Sequence, residues 1–298
     1  MKIGAFVPQG WRMDLNNLTP SEEWNIIIKT AKKIEEYGYE SLWVYDHFHT
    51  VPSPSIQPTY ECWSLMSALS QQTSTIRLGQ MCTCNSYRNP SNLTKVASNI
   101  DVMSNGRLEF AIGAGWYDQE YKSYGFAYPS DGTRLKMLEE ALLIYIEMTT
   151  KEKATFKGKY YSIDNAINEP KPIQKPYPPL WVCGGGEKVT LKLLAKYGDY
   201  GNWDVDVDGF IHKSEILKNH CEQQERDYSS IKKTLHTNVI IGENQKDLEN
   251  KIEKISTVTG IPKEMYIDKP LVGTQEKVFN TVDAVSYTHL TLPTKRIV

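Results

Sequence analysis

The chain has 298 residues, enough for one large domain or two small ones, and 40% of them are hydrophobic, which supplies a sizeable core. A formal net charge of −2 gives no electrostatic reason to expect nucleic acid or an anionic membrane as partner. The first seven residues run straight into Pro8 and are too short for a signal peptide, no apolar stretch approaches a membrane span, and five cysteines without a secretory leader point to reduced thiols in the cytoplasm.

In chain order, strands are predicted at 3–7, 41–45, 76–82, 108–112, 180–183, 200–203 and 236–241. They alternate with helices at 21–37, 60–72, 90–103, 134–149, 188–197, 210–226 and 244–256. Pro20 and the acidic Glu22-Glu23 suit a helix start, and Gly38 suits its end. Repeated strand–helix units predict an α/β chain with a parallel sheet, and seven units favour a closed barrel over an open sheet. Residues 154–163 alternate around Lys157-Gly158-Lys159 as a hairpin does, and the Pro-rich 170–179 follows. This is an insertion between units four and five, too short for a core of its own.

The apolar strand Leu42-Trp43-Val44-Tyr45 ends in Asp46-His47-Phe48. Strands of such folds project their last residues onto the C-terminal face, where an acid and an imidazole can handle protons. Read from the residues alone, Asp46 can equally be a helix cap and His47 a solvated side chain. Gly113-Ala114-Gly115-Trp116 ends the fourth strand with glycines that admit close backbone approach, and Trp116 and Tyr117 are either pocket-lining or loop-core aromatics. Glu120 is either a proton donor or orienter, or a solvated helix carboxylate. Gly184-Gly185-Gly186-Glu187-Lys188 opens the fifth helix, where free amides and the Lys188 cation suit a phosphate; the alternative is a flexible turn. Asn202 and Trp203 end the sixth strand as candidates for substrate or ring-edge contact. Arg107, after the Asn105-Gly106 turn, lies at the opposite face, where the usual meaning is stability. Cys82-x-Cys84 lacks a second ligand pair, so no metal site is expected and both should pack as small hydrophobes. His212, His220 and His236 are expected to be structural or exposed.

Trp43-Val44-Tyr45-Asp46-His47-Phe48, Tyr87-Arg88-Asn89-Pro90, Asn105-Gly106-Arg107-Leu108, Gly113-Ala114-Gly115-Trp116-Tyr117 and Pro179-Leu180-Trp181-Val182-Cys183-Gly184-Gly185-Gly186 occur in one order and spacing. Together they resemble the luciferase-like monooxygenase superfamily over residues 1–283, most nearly the branch that uses the deazaflavin coenzyme F420. The resemblance implies a TIM-like (β/α)8 barrel with the coenzyme across the C-terminal strand ends, a small-molecule substrate and a homodimer. It implies hydride transfer at deazaflavin C5, with Asp46 and His47 beside the ring and the substrate. It further implies a non-prolyl cis peptide at Met81–Cys82 supporting the ring, with Thr83, Cys84 and Asn85 bonding the ring's polar edge. Arg88 is expected to pack below, against the helix that Pro90 begins. The alternatives are an FMN-dependent two-component monooxygenase on the same fold and a barrel that only binds flavin.

Gly273-Thr274-Gln275-Glu276-Lys277-Val278 resembles the family's last helix before strand eight. The sequence from Ser286 to Val298 does not continue the resemblance. It is read as a foreign or read-through tail, so that 1–283 forms a barrel domain with its eighth unit truncated and 284–298 stands outside it. Within the tail, Tyr287-Thr288-His289-Leu290-Thr291-Leu292 has the alternation of a strand.

Overall fold

The computed structural model describes residues 2–267, 269 and 271–290, with side chains through 282. The chain divides into two compact units, a larger one of residues 2–203 and 213–234 and a smaller one built mainly from residues 204–212 and 235 onward.

The larger unit is built on β1 (Gly4–Phe6), β2 (Ser41–Val44), β3 (Arg77–Gln80), β4 (Thr83–Cys84), β5 (Leu108–Gly113), then the hairpin β6 (Ala154–Lys157) and β7 (Ser162–Ala166), and finally β8 (Leu180–Cys183), β9 (Tyr200–Trp203) and β10 (Lys232–Leu235). The main sheet runs β1-β2-β3-β5-β8-β9-β10, with β4 paired to β5. The pairings from β1 through β9 are parallel, with Phe6 opposite Trp43, Trp43 opposite Gly79 and Ala111 opposite Trp181. Parallel strands covered on both faces read as near-continuous apolar runs, which is why these segments were visible in the sequence.

The two faces of the sheet divide by residue parity. Trp43, Ala111, Trp181 and Cys183 form one buried cluster with Phe6, Met81, Cys82 and Tyr200 packed on it. A side chain at Gly4 or Gly79 would run into the Trp43 ring, so these glycines make room for an indole. Trp181 stacks on Tyr200 at 4.3 Å and donates from Nε1 to Glu109 at 2.6 Å. Glu109 is also paired with Arg77. Leu42, Val44, Leu78, Phe110, Ile112, Leu180 and Val182 are the buried residues of opposite parity. Phe110 stacks flat on Tyr145 of a covering helix at 4.2 Å.

The helices are α1 (Pro20–Glu36), α2 (Cys62–Gln72), α3 (Pro90–Met103), α4 (Asp118–Ser123), α5 (Asp131–Thr150), α6 (Thr190–Tyr197) and α7 (Val207–Gln223). Thr19 and Glu22 form a reciprocal capping box at the start of α1, with Pro20 at its first position. At the strands' N-terminal end the buried Arg107 donates to the carbonyls of Ser70, Thr73, Ile76 and Ser104 and to the Thr73 hydroxyl. It ties two loops to β5, the stability role expected of it.

In the smaller unit β11 (Ile240–Gly242) pairs in parallel with β12 (Val272–Thr274). Ile240, Leu248, Ile252, Tyr266 and Val272 form its core, with Ile255 and Ile261 packed against it. Asn244 caps α8 (Gln245–Thr259), and α9 (Glu264–Ile267) and α10 (Gln275–Leu290) follow.

Four expectations are corrected. α6 begins at Thr190, because residues 187–189 form a turn first. Lys232–Leu235 is a strand that the sequence reading missed, since two consecutive lysines hide the apolar pattern. Of the strand expected at 236–241, only Ile240 and Ile241 are in strand, in β11. Tyr287–Leu290 continues α10 rather than forming a strand, because the 3.6-residue pattern of Val278 and the residues after it carries through. The remainder of the proposed tail, 291–298, lies outside the described residues.

Candidate active site at the strand ends

Asp46 and His47 follow β2 directly and diverge in role. Asp46 is gripped by the Arg88 guanidinium, Nη1 to Oδ2 at 2.6 Å and Nη2 to Oδ1 at 2.8 Å, and also accepts from the Cys84 amide at 2.9 Å. Arg88 extends the bond to Glu61, the N-cap of α2, at 2.5 Å. Burial works against the Arg88 charge, but the Asp46 carboxylate outweighs it and holds the guanidinium protonated well above its ordinary range. Both Asp46 oxygens are therefore taken, and its work is to fix the β4 loop against β2. Arg88 does not pack against its own helix start, as expected from Pro90; it spans the ends of β2 and α2.

His47 Nδ1 lies 3.0 Å from Glu120 Oε2. Glu120 is completely buried and also accepts from the Phe48 amide at 2.7 Å and the Tyr87 hydroxyl at 2.8 Å. Burial pushes its carboxyl up, yet the bonds from His47, Phe48 and Tyr87 prevail and hold its pKa below the ordinary carboxylate value. An ionised carboxylate on Nδ1 keeps the proton there and turns Nε2 outward, and Nε2 has no hydrogen-bond partner among the described residues. The imidazole is walled by aromatics: Trp11 stacked at 5.0 Å, and Trp116 and Tyr117 edge-on at 6.2 and 6.0 Å. Trp116 is 64% exposed, so its indole is available to a ligand, whereas Tyr117 is buried and bonded to the Pro52 carbonyl at 2.9 Å.

The Met81–Cys82 peptide is cis, at the bond the resemblance indicated. Immediately after it, Thr83 Oγ1, Asn85 Oδ1 and Ser86 Oγ are buried without a hydrogen-bond partner among the described residues. Buried polar atoms in native structures are almost always bonded, so three orphans on one short loop are unused capacity for polar atoms of something else. Cys84 differs: its thiol faces the Tyr121 hydroxyl at 3.0 Å, and burial pushes it up to about 12, so it is packing rather than ring contact.

Gly113, the last residue of β5, and Gly115 after it have internal reasons to be glycine. A side chain on Gly113 would meet Cys82 Sγ at 2.8 Å, and Gly115, at φ +79, would collide with Tyr121. Their smallness accommodates the cysteine and the tyrosine; no ligand is needed to explain it.

At the end of β8, Gly184 has φ +118, which only glycine adopts readily. The cation held at this loop is Lys213 of α7, whose Nζ donates to the Gly185 carbonyl at 2.7 Å and lies 3.5 Å from Glu187. Lys188 is exposed and has no hydrogen-bond or ion-pair partner among the described residues. His220, one heptad after Lys213, bonds the Glu187 carbonyl at 2.8 Å. Asn202 donates to the Thr234 hydroxyl at 2.7 Å, bracing β9 to β10.

Sequence reasoning missed three contributors. Gln9 donates to the Tyr45 and Tyr60 carbonyls and accepts from the Tyr45 amide, each at 2.7 Å, which pins the loop carrying Trp11. Tyr87 and Lys213 were the others, and neither carries a local signal that sets it apart. Among the described residues no group of three His, Cys, Asp or Glu side chains could hold a metal, and no helix is long and apolar enough to cross a membrane.

The coenzyme F420-dependent glucose-6-phosphate dehydrogenase of Amycolatopsis mediterranei is 28% identical over 176 residues, covering 58% of this chain and 51% of that protein. An F420-dependent secondary alcohol dehydrogenase in complex with an F420-acetone adduct superposes with a TM-score of 0.79 at 20% identity, over 96% of this chain and 90% of that one. The oxygenating constituent of 3,6-diketocamphane monooxygenase from Pseudomonas putida, in complex with FMN, superposes with a TM-score of 0.71 at 16% identity, over 96% and 88%. These structures share the α/β TIM-like barrel architecture. The family model of luciferase-like monooxygenases matches residues 1–289, and the chain belongs to that family.

Proposed function

We propose that this protein is a coenzyme F420-dependent oxidoreductase that moves a hydride between the deazaflavin and a small carbonyl or alcohol substrate. The observation that carries the proposal is the His47–Glu120 pair, with Nδ1 committed at 3.0 Å and Nε2 open, beside a loop with three buried polar atoms unpartnered among the described residues. The residues present fit such a coenzyme: Thr83 Oγ1 and Asn85 Oδ1 would meet its ring edge, and the Gly184–Gly186 amides with Lys213 would hold its phosphate. When bound, the deazaflavin supplies a two-electron hydride donor or acceptor at C5.

The protein's part is proton handling and placement. Protonated at Nε2, His47 donates that proton to the carbonyl oxygen as the carbon gains hydride; in the reverse direction it removes the alcohol proton. Glu120 stabilises the imidazolium and fixes its ring plane, and Trp11 and Trp116 wall the space in which the substrate sits. General acid–base help of this kind contributes a factor of about 10²–10⁴. Asp46 and Arg88 position the floor without touching the reacting atoms.

The second reading is an FMN-dependent monooxygenase, favoured by the likeness to the FMN-bound oxygenating constituent of 3,6-diketocamphane monooxygenase. Parallel fluorescence titrations with F420 and FMN decide between them. Tighter F420 binding, followed by bleaching of its visible absorbance on adding a secondary alcohol, is expected. Micromolar FMN binding with no detectable F420 binding overturns the proposal. If neither binds, the flavin-site reading fails altogether. Gel filtration with light scattering tests the homodimer implied by the resemblance.

A further inference from the structure

Three sulfur atoms converge where β3 and β8 end. The Cys183 thiol lies 3.7 Å from the Met81 thioether. The Cys82 thiol stands beside that of Cys183. The intervening strand contributes Gly113, which has no side chain to separate them: the position of its missing Cβ is 2.8 Å from Cys82 Sγ and 3.8 Å from Cys183 Cβ. The surrounding wall is Trp43, Ala111 and Trp181, with the Glu109 carboxylate bonded to the Trp181 indole nitrogen. Met81 and Cys82 are only partly buried, so the cluster can be reached from the strand-end side.

Sulfur-only donors in an apolar wall select soft, d10 metal ions and discriminate against hard ones. A metal–sulfur bond of about 2.3 Å in a trigonal arrangement separates the sulfurs by roughly 4 Å, close to the 3.7 Å between Cys183 and Met81. We propose that Cys82, Cys183 and Met81 form a binding site for a monovalent soft metal ion, Cu(I). Two S–H protons leave to solvent, two S–Cu bonds form, the thioether adds a third, and no electrons move. Because protons compete with the metal, affinity rises with pH. Resting additionally on the coenzyme reading above, which seats the ring on the Met81–Cys82 peptide, Cu(I) and coenzyme should exclude each other.

The test uses the whole reduced protein, titrated anaerobically with Cu(I) against the chromophoric chelator bicinchoninate. One Cu(I) per chain is expected. Cys82→Ser and Cys183→Ala should each weaken it by at least 100-fold, and Met81→Leu by about tenfold. Since Cys183 is buried and its replacement can disturb packing, a measurement on the unaltered protein runs in parallel: Cu(I) should protect Cys82 from iodoacetamide, read by peptide mass. Stoichiometry and affinity that survive in the folded Cys82→Ser variant overturn the site, as does unprotected Cys82 at saturating Cu(I). Simultaneous binding of Cu(I) and FMN or F420 overturns only the shared seat, which keeps the two readings separable.

Discussion

The ends of β2 and β8 fix functional groups by opposite means. After β2, side chains do the fixing: both Asp46 oxygens and both Glu120 oxygens are occupied, by Arg88, the Cys84 amide, His47, Tyr87 and the Phe48 amide. After β8, the backbone does most of it: three glycines expose amides, and Lys213 and His220 grip carbonyls of the loop, with Glu187 pairing Lys213 as well. The first design holds an imidazole to a single tautomer and orientation. The second tolerates adjustment and offers donors along a curve, as recognition of a tetrahedral anion requires. A reacting group needs placement within a fraction of an ångström, whereas a phosphate handle needs charge and several donors. Substitutions after β2 should therefore be severe and specific, and those after β8 graded.

The largest effect is expected from His47→Ala. Turnover should fall by about 10²–10⁴ while coenzyme affinity stays within a few-fold, measured by steady-state rates and equilibrium titration. Turnover within a few-fold of the parent would remove His47 from the chemistry. Arg88→Met comes next and acts on stability, because it strands the buried Asp46 charge. Breaking a buried pair typically costs about 3–5 kcal/mol, read from denaturant midpoints; a loss under about 1 kcal/mol would show that the fork is incidental.

Glu120→Gln preserves shape and removes charge. Loss of a charge-assisted bond should cost about 1.5–3 kcal/mol and lower turnover through misorientation of His47, with Glu120→Asp restoring part of it. The pH dependence has a definite sign. The folded-state pKa of Glu120 lies below its ordinary value of 4.5, so the folded protein binds fewer protons than the unfolded one in that range. Its contribution is complete above that value and declines as pH falls through and below it. The Gln variant should lose less stability on acidification over that window; equal losses would mean that Glu120 is not the ionised partner.

The smallest effects belong to β8. Lys213→Met should weaken coenzyme binding roughly tenfold, about 1.4 kcal/mol, and reduce its salt dependence, while Lys188→Met should leave binding nearly unchanged. The reverse order would return the phosphate role to Lys188.

Strands β1, β2, β3, β5, β8 and β9 were legible because the sheet is covered on both faces, while β4 and β10 were not, and the cis peptide was legible through the motif around it. What the sequence withheld depends on partners distant in the chain. Asp46 becomes structural only because Arg88, 42 residues on, reaches it with both nitrogens. Glu120 sits in a helix of mostly polar residues, and nothing local marks it as the one that turns inward. Lys213 could not be told from other lysines of an amphipathic helix. Gly113 and Gly115 invite a ligand explanation, and the atoms that require them, Cys82 Sγ and the Tyr121 hydroxyl, come from other segments.

Gln9 has a consequence for how this scaffold can vary. Its carboxamide donates to the Tyr45 carbonyl and accepts from the Tyr45 amide, so one side chain reproduces the pairing that a further β1 residue would make with β2. The register of Trp11 against His47 is thereby tied to β2, while Asp14 holds the Gln9 and Gly10 amides from the loop side. Sequence changes in this loop that keep Gln9, Asp14 and the buried Leu15 can therefore alter what is admitted beside the imidazole without retuning the imidazole itself.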